Sequence, residues 1–116
     1  MQLSALLWQP GDGEDWHLHY ACRGGFAFAF IKVMQGVGTH EVADVIGTDP
    51  NTGKILITPT RNEVLRTGDV AIVTSNQAHL LANKSAETLL TVHLYITPVR
   101  KPIHVERLHI VRGKSA

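Results

Sequence analysis

The sequence has little cysteine, no large excess of either charge and no long apolar run, and each of these shortages excludes a class of protein. Cys22 is the single cysteine among 116 residues, so no intrachain disulfide forms and a reducing compartment is favoured. The 11 basic and 10 acidic residues leave a net charge of +1, and the basic residues are scattered, which argues against a nucleic-acid partner.

The apolar runs are also informative. None is longer than a strand, so we expect no membrane span, and the amino terminus has no basic region before an apolar stretch, which argues against a secretory signal. A hydrophobic content of 44% with 18% charged residues is typical of a globular chain. We therefore expect one cytoplasmic domain that covers residues 1–116.

Apolar residues alternate along most of the chain at the two-residue period of β-strands. Phe26, Phe28 and Phe30, for example, alternate with alanine and isoleucine. The predicted strands cover residues 3–8, 17–21, 26–34, 40–46, 54–58, 70–74, 89–97 and 103–111, and a further strand begins at His79. Turn residues separate them, and the segment 49–53 predicts a hairpin loop. About eight short strands and no convincing amphipathic helix predict an all-β sandwich or barrel, with a jelly roll as the leading choice.

Two segments pair a glycine with histidines. Gly11 precedes His17 and His19, and Gly68 precedes His79. Because residues two apart on a strand project from the same face, the imidazoles of His17 and His19 form half of a metal site. A third imidazole from another strand would complete it, and we predict that His79 supplies it.

Each histidine alone also has an ordinary explanation. A single histidine is more often a surface or a satisfied core residue than a ligand, and we assign His40, His104 and His109 to that class. Asn83, four residues after His79, is expected to cap the strand pairing or to hydrogen-bond near the site. Three neutral nitrogen ligands suit Fe, Ni, Mn, Cu or Zn, so ligand type does not choose among these metals.

A third pattern places polar side chains on one face of a strand. Thr91, His93 and Tyr95 alternate with the aliphatic residues at 92, 94 and 96. A solvent-exposed face is the commoner cause of such alternation. The alternative is a hydroxyl–imidazole–phenol chain inside the protein, which would hold the phenol in place and tune its acidity.

These motifs resemble a known family. The two glycine–histidine motifs are similar to the signature motifs of the cupin superfamily, whose members are double-stranded β-helix (jelly-roll) barrels with a metal inside. The segment 90–98, Leu-Thr-Val-His-Leu-Tyr-Ile-Thr-Pro, resembles the matching strand of cysteine dioxygenase, in the thiol dioxygenase branch. Segments 8–11, 30–36 and 64–68 resemble other parts of it, so the resemblance runs from Trp8 to Glu106.

The resemblance implies a function. It implies a divalent metal, ferrous iron, bound by His17, His19 and His79, with Zn, Ni or Mn as alternatives. It also implies that Thr91, His93 and Tyr95 form a relay of catalytic groups beside the metal. The implied reaction is oxidation of a small thiol to a sulfinate.

Several departures bear on the substrate. The glutamate ligand that many cupins have after the second histidine is missing, and the loop after His19 is longer than in the family. The family's substrate-carboxylate arginine lies on a strand upstream of the tryptophan, which the residues before Trp8 do not include. Ala29 stands where some members carry a cysteine that crosslinks to the relay tyrosine, and the roles of Cys22 and Arg23 in the longer loop are left open.

Three functions therefore compete. The first is an iron-dependent dioxygenase that acts on a small thiol. The second is a cupin isomerase or hydrolytic enzyme that uses Zn, Mn or Ni, and the third is a non-catalytic cupin that binds a small molecule or a metal. We also expect a homodimer, because the apolar sides of segments 91–97 and 103–111 exceed what so small a barrel can bury.

Overall fold

The computed structural model describes residues 2–18, 28–96 and 110–112, and within these the regular structure is entirely strand. The nine strands are β1 Gln2–Trp8, β2 His17–Leu18, β3 Phe28–Gln35, β4 Val37–Thr48, β5 Ile55–Arg66, β6 Val70–Thr74, β7 Gln77–Ala82, β8 Leu89–Ile96 and β9 Ile110–Arg112. The predicted all-β class is confirmed. Among the described residues no helix is long and apolar enough to cross a membrane.

The strands form two sheets. The first has the order β1-β8-β3-β6, and the second has the order β2-β7-β4-β5-β9. All ladders are antiparallel except that between β5 and β9. Seven apolar side chains from both sheets form one core cluster: Trp8, Ile31, Val33, Leu65, Ala71, Leu81 and Leu89. Their burial holds the inner faces of the two sheets against each other.

Strands β4 and β5 form a hairpin that is longer than the sequence predicted. The connecting loop is the predicted one, since the amide of Gly53 donates to the carbonyl of Asp49 and the Asp49 carboxylate accepts from the Asn51 amide. The sequence prediction ended the second strand at residue 58, whereas β5 continues to Arg66. Exposed residues from Pro59 to Asn62 hide the alternation there, although the ladder with β4 persists through two bulges.

The outer face of the four-stranded sheet is apolar. Leu3 and Leu7 on β1 are 68% and 63% exposed, and Phe28, Val70 and Ile72 on β3 and β6 are also exposed. The strand registers place these side chains on the face opposite Thr91 and His93. We call the surface formed by Leu3, Leu7, Phe28, Phe30, Val70, Ile72, Val92 and Leu94 the outer apolar face.

Candidate metal centre

Two of the three predicted ligands meet. His17 on β2 and His79 on β7 are directly opposed across an antiparallel ladder, and their ring centroids are 4.4 Å apart. Their neighbours Leu18 and Ala78 alternate with them and pack in a second apolar cluster on the other face of the sheet. His19, the third predicted ligand, lies outside the described residues, so its place in the site stays a prediction.

Local hydrogen bonds fix the tautomer of His17. Its Nδ1 lies 2.8 Å from the carbonyl oxygen of Asp15, which can only accept, so the hydrogen of the neutral ring is on Nδ1 and the lone pair is on Nε2. Nε2 lies 3.9 Å from Oε2 of Glu14. Burial raises the pKa of Glu14, against the opposing effects of His17 and the Leu81 amide.

A third imidazole joins the pair. We assigned His40 to the surface or satisfied core residues, and it is a fully buried core residue whose Nε2 lies 2.9 Å from Nδ1 of His79. Desolvation lowers the pKa of His40, with Glu63 acting in the opposite sense, so the ring is neutral at pH 7. The contact with His79 was not predicted, because His40 reaches it from a neighbouring strand and lies diagonally across the ladder.

The row continues to the protein surface. Glu63 is the direct cross-strand partner of His40, and its Oε2 lies 3.4 Å from His40 Nδ1. The other carboxylate oxygen, Oε1, lies 3.1 Å from Nη1 of the half-exposed Arg61. Four adjacent strands thus contribute one polar side chain each to what we call the histidine row: Glu63, His40, His79 and His17.

The donor set fits a first-row metal ion in part. His17 donates from Nδ1 to a backbone carbonyl and His79 uses Nδ1 toward His40, which is how metal-binding histidines are usually oriented. Within residues 2–18, 28–96 and 110–112, however, no group of three His, Cys, Asp or Glu side chains could hold a metal ion by itself. A third ligand is therefore needed, and His19 is the one that the sequence nominates.

The opposite sheet presents a second polar group. The indole nitrogen of Trp8 donates to Oγ1 of Thr91 at 2.9 Å, and the same Oγ1 lies 2.8 Å from Nε2 of His93. Thr91 and His93 are both buried, so the solvent-face explanation of this strand is wrong for them. We call Trp8, Thr91 and His93 the strand line.

One atom of the strand line has no hydrogen-bond partner among the described residues. The side chains of Trp8 and Thr91 use their single donors if the Thr91 hydroxyl accepts from Trp8 and donates to His93 Nε2. In that arrangement the hydrogen of the neutral imidazole is on Nδ1. His93 Nδ1 is buried, and no residue within 2–18, 28–96 or 110–112 is its hydrogen-bond partner. Desolvation, followed by the charges of His17 and His40, lowers the pKa of His93 to about 4.

Tyr95 stacks on His93 rather than hydrogen-bonding to its Nδ1. The ring centroids are 6.3 Å apart and the planes are inclined by 28°. Burial raises the pKa of Tyr95, and the Glu14 carboxylate contributes in the same direction. Ala29, the residue we aligned with the crosslinking cysteine of some thiol dioxygenases, is the direct cross-strand partner of Tyr95.

The motif glycines and Asn83 shape the loops around the site. Gly11 and Gly68 have φ values of 91° and 92°, a left-handed conformation that glycine adopts without strain. The Asn83 side-chain amide donates to the carbonyls of Trp8 and Glu87, at 3.1 and 2.7 Å. Asn83 therefore caps the strand ends, as one of the two predicted roles required.

Sequence analysis missed Glu14, His40, Glu63 and the anchoring role of Trp8. Glu14 is three residues before His17, a spacing with no meaning on an irregular segment. His40 and Glu63 are opposed only because of the β4–β5 register, which bulges make hard to count. One signal was available: a histidine at an inward position of an alternating strand, between the buried Gly38 and Val42.

Comparisons with known proteins give the fold. No family model matches the chain, and no curated protein matches it. A Drosophila melanogaster CENP-C structure, bound to CAL1, superposes with a TM-score of 0.63 and 13% identity, over 81% of this chain and 60% of that chain. Oxalate oxidase superposes with a TM-score of 0.59 and 17% identity over 80% and 40% of the two chains, and BH2720 from Bacillus halodurans with 0.59 and 16% over 94% and 70%.

These likenesses establish the architecture. A second CENP-C structure is that of its cupin domain, and together with the two facing antiparallel sheets the comparisons confirm the predicted cupin-type jelly roll. The chain spans about 60% of the CENP-C chain that it matches. The neighbours include oxalate oxidase and a CENP-C structure bound to CAL1, so the fold alone does not choose a function.

Proposed function

We propose that this cupin-fold domain binds a divalent first-row metal, ferrous iron, and oxidises a small thiol with dioxygen to a sulfinate. The observation that carries the proposal is the meeting of His17 and His79 across the β2–β7 ladder, each with its Nδ1 engaged in a hydrogen bond. A hydrogen on each Nδ1 would leave the Nε2 lone pairs for a metal, and His19 would supply the third nitrogen. When bound, the metal would lower the pKa of a thiol and provide adjacent positions for thiol and dioxygen.

The strand line and Tyr95 supply the other half of the proposal. The chain from Trp8 through Thr91 holds the ring of His93 at Nε2, and an Nδ1–H would be the free donor of this buried ring among the described residues. A side-chain rotation of Tyr95 would let its hydroxyl oxygen accept this hydrogen, and the phenol would then donate to a bound reactant. In the overall reaction RSH and O₂ give RSO₂⁻ and H⁺, so that sulfur is oxidised and dioxygen is reduced.

The test starts with metal analysis of the purified protein. We expect iron, or readily exchanged Zn, Ni or Mn, at one equivalent per chain, and less than a tenth of that in His17→Ala. Oxygen uptake is then measured on iron-loaded protein with a panel of small thiols, and the sulfinate is identified by mass spectrometry with ¹⁸O₂. Incorporation of both oxygen atoms is expected, whereas metal binding without oxygen uptake would contradict the dioxygenase proposal.

An isomerase or hydrolytic activity with Zn, Mn or Ni is the alternative that uses the same histidines without the strand line. Sugar-phosphate turnover by metal-loaded protein distinguishes it from thiol oxidation. A Thr91→Val variant with unchanged turnover would favour this alternative, because the strand line would then have no part in the chemistry.

The outer apolar face is a separate observation, and it bears on the oligomeric state. Lys32 is the charged residue between Val92 and Val70 on this face, and monomeric proteins seldom expose apolar patches of more than a few hundred Å². We propose that a second copy of the chain covers the face, giving the homodimer expected from the sequence, since a stable interface buries about 800 Å² per partner. Light scattering should report a dimer that Leu3→Glu and Ile72→Glu convert to monomers, and a monomeric wild type would exclude it.

A further inference from the structure

The histidine row extends beyond the residues that would touch a metal. Glu63 and His40 make no predicted contact with the ion, yet they connect His79 to the surface through two successive hydrogen bonds. A buried histidine at such a position needs a partner at each ring nitrogen, and both nitrogens of His40 have one. The direction of these hydrogen bonds determines where His79 carries its hydrogen.

The direction follows from the chemistry of the outermost group. A carboxylate only accepts, so His40 must present Nδ1–H to Glu63. The neutral His40 ring then has its lone pair on Nε2, and this nitrogen can only accept from His79. His79 must therefore donate from Nδ1, which places its own lone pair on Nε2.

We propose that Glu63 and His40 are positioning residues that hold His79 in the Nδ1–H tautomer and fix its ring for metal binding. The inference rests on the proposed metal site, whose ligand His79 is, but it concerns the metal-free protein as well. Outer partners of metal-binding histidines typically change metal affinity by about 10–100-fold when removed.

Arg61 makes the proposal sharply testable. It holds Oε1 of Glu63 at 3.1 Å, while Oε2 faces His40. In Glu63→Gln the amide oxygen would remain on Arg61, because a guanidinium only donates, and the amide NH₂ would turn to His40. Each hydrogen bond in the row would then reverse, and His79 would carry its hydrogen on Nε2, where it blocks metal binding.

The experiment measures the tautomer of His79 by ¹⁵N–¹H correlation spectroscopy in the metal-free protein, and Co²⁺ affinity by competition titration. We expect Nδ1–H in the wild type, Nε2–H in Glu63→Gln, and a return to Nδ1–H in Arg61→Ala/Glu63→Gln, where the amide can rotate. Co²⁺ affinity should fall about 10–100-fold in Glu63→Gln and recover in the double variant. Arg61→Ala alone is the matched control, with the wild-type tautomer.

A second pair of variants acts directly on His40. Gln at this position presents an amide oxygen to His79 and should keep the Nδ1–H tautomer, whereas Leu fills the volume without an acceptor and should lose it. An unchanged His79 tautomer in both Glu63→Gln and His40→Leu would overturn the inference. If the wild type binds no Co²⁺ while the tautomers switch as expected, the proposed metal function fails and the hydrogen-bonded row stands.

Discussion

The two polar groups inside the barrel are built in different directions. The strand line runs between adjacent strands β1 and β8 and then along β8. Its last atom, His93 Nδ1, is buried and has no hydrogen-bond partner in the described part of the chain. The histidine row runs across four strands and ends at the half-exposed Arg61 and Glu63. The buried strand line is shielded from substitutions at the surface, whereas the histidine row reaches solvent and responds to them.

The largest difference between the two groups should appear when His79 is removed. His79→Ala deletes one of the two imidazoles that meet at the centre, so metal binding and any activity should be lost. The free energy of unfolding in the absence of metal should remain sufficient for a folded domain, because the apolar faces hold the strands. Metal content by mass spectrometry and far-UV circular dichroism check the two statements.

Global unfolding of metal-free His79→Ala would show instead that the imidazole is structural.

Tyr95 tests whether the strand line takes part in chemistry. Tyr95→Phe retains the ring that stacks on His93 and removes one hydroxyl. Turnover should fall by about 10²–10⁴, the usual effect of a proton-transfer group, with little change in stability. His93→Ala should have a similar effect, and the double variant should be no worse than either, because both act through one chain.

Additive losses in steady-state kinetics would separate the phenol from His93 and remove the relay.

Acid should reduce the stability that depends on the strand line more than the stability that depends on the histidine row. The pKa of His93 is lowered to about 4 in the folded protein, below the ordinary 6.5, so the unfolded chain binds more protons between these values. Stability is therefore complete above pH 6.5 and decreases as pH falls toward 4, by on the order of 3 kcal/mol from this group. The shift of His40 has the same direction.

Urea unfolding of metal-free protein at pH 7 and pH 5 measures this loss. His93→Gln should flatten the dependence, and an equal slope in that variant would assign the acid sensitivity elsewhere.

The smallest expected effect is that of Thr91→Val. The substitution keeps the shape of the side chain but leaves the Trp8 indole N–H and His93 Nε2 without their shared partner. Two buried polar atoms would lose a hydrogen bond, at a cost of about 1–3 kcal/mol. Thr39→Val, at a half-buried position on β4, is the matched control, and denaturant unfolding that gave equal values for both would mean that the strand line adds nothing to stability.

The same difference in direction explains what the sequence could reveal. Thr91, His93 and Tyr95 are two residues apart on one strand, so the period of the pleat shows them directly. The repeated glycine–histidine pattern predicted that His79 joins His17, and the family resemblance implied the same, although the two are far apart in the sequence. The contribution of His40 and Glu63 depends on the register of β4 and β5, which two bulges shift and which no local pattern records.

The strand predicted at residues 54–58 ended too early for a related reason. The second half of β5 is exposed and rich in polar residues, so its alternation is weak although its ladder with β4 persists. In contrast, the strand at residues 70–74 was predicted with its observed bounds because Ala71 and Val73 face the core while their neighbours face outward. A strand can be recognised in the sequence when one of its faces is buried, because apolar and polar residues then alternate. Strand pairing alone leaves no such pattern.

The strand order also constrains how the chain folds. Among the described strands, β4 and β5 are the only consecutive pair that share a ladder, whereas β1 pairs with β8 and β2 with β7. Loops of this length must close before His17 meets His79, so folding should be slow and the centre should assemble late. A metal would then bind the native state and not the folding transition state, so it would slow unfolding without speeding folding. Stopped-flow measurements should show an unchanged refolding rate and a reduced unfolding rate when Co²⁺ is added.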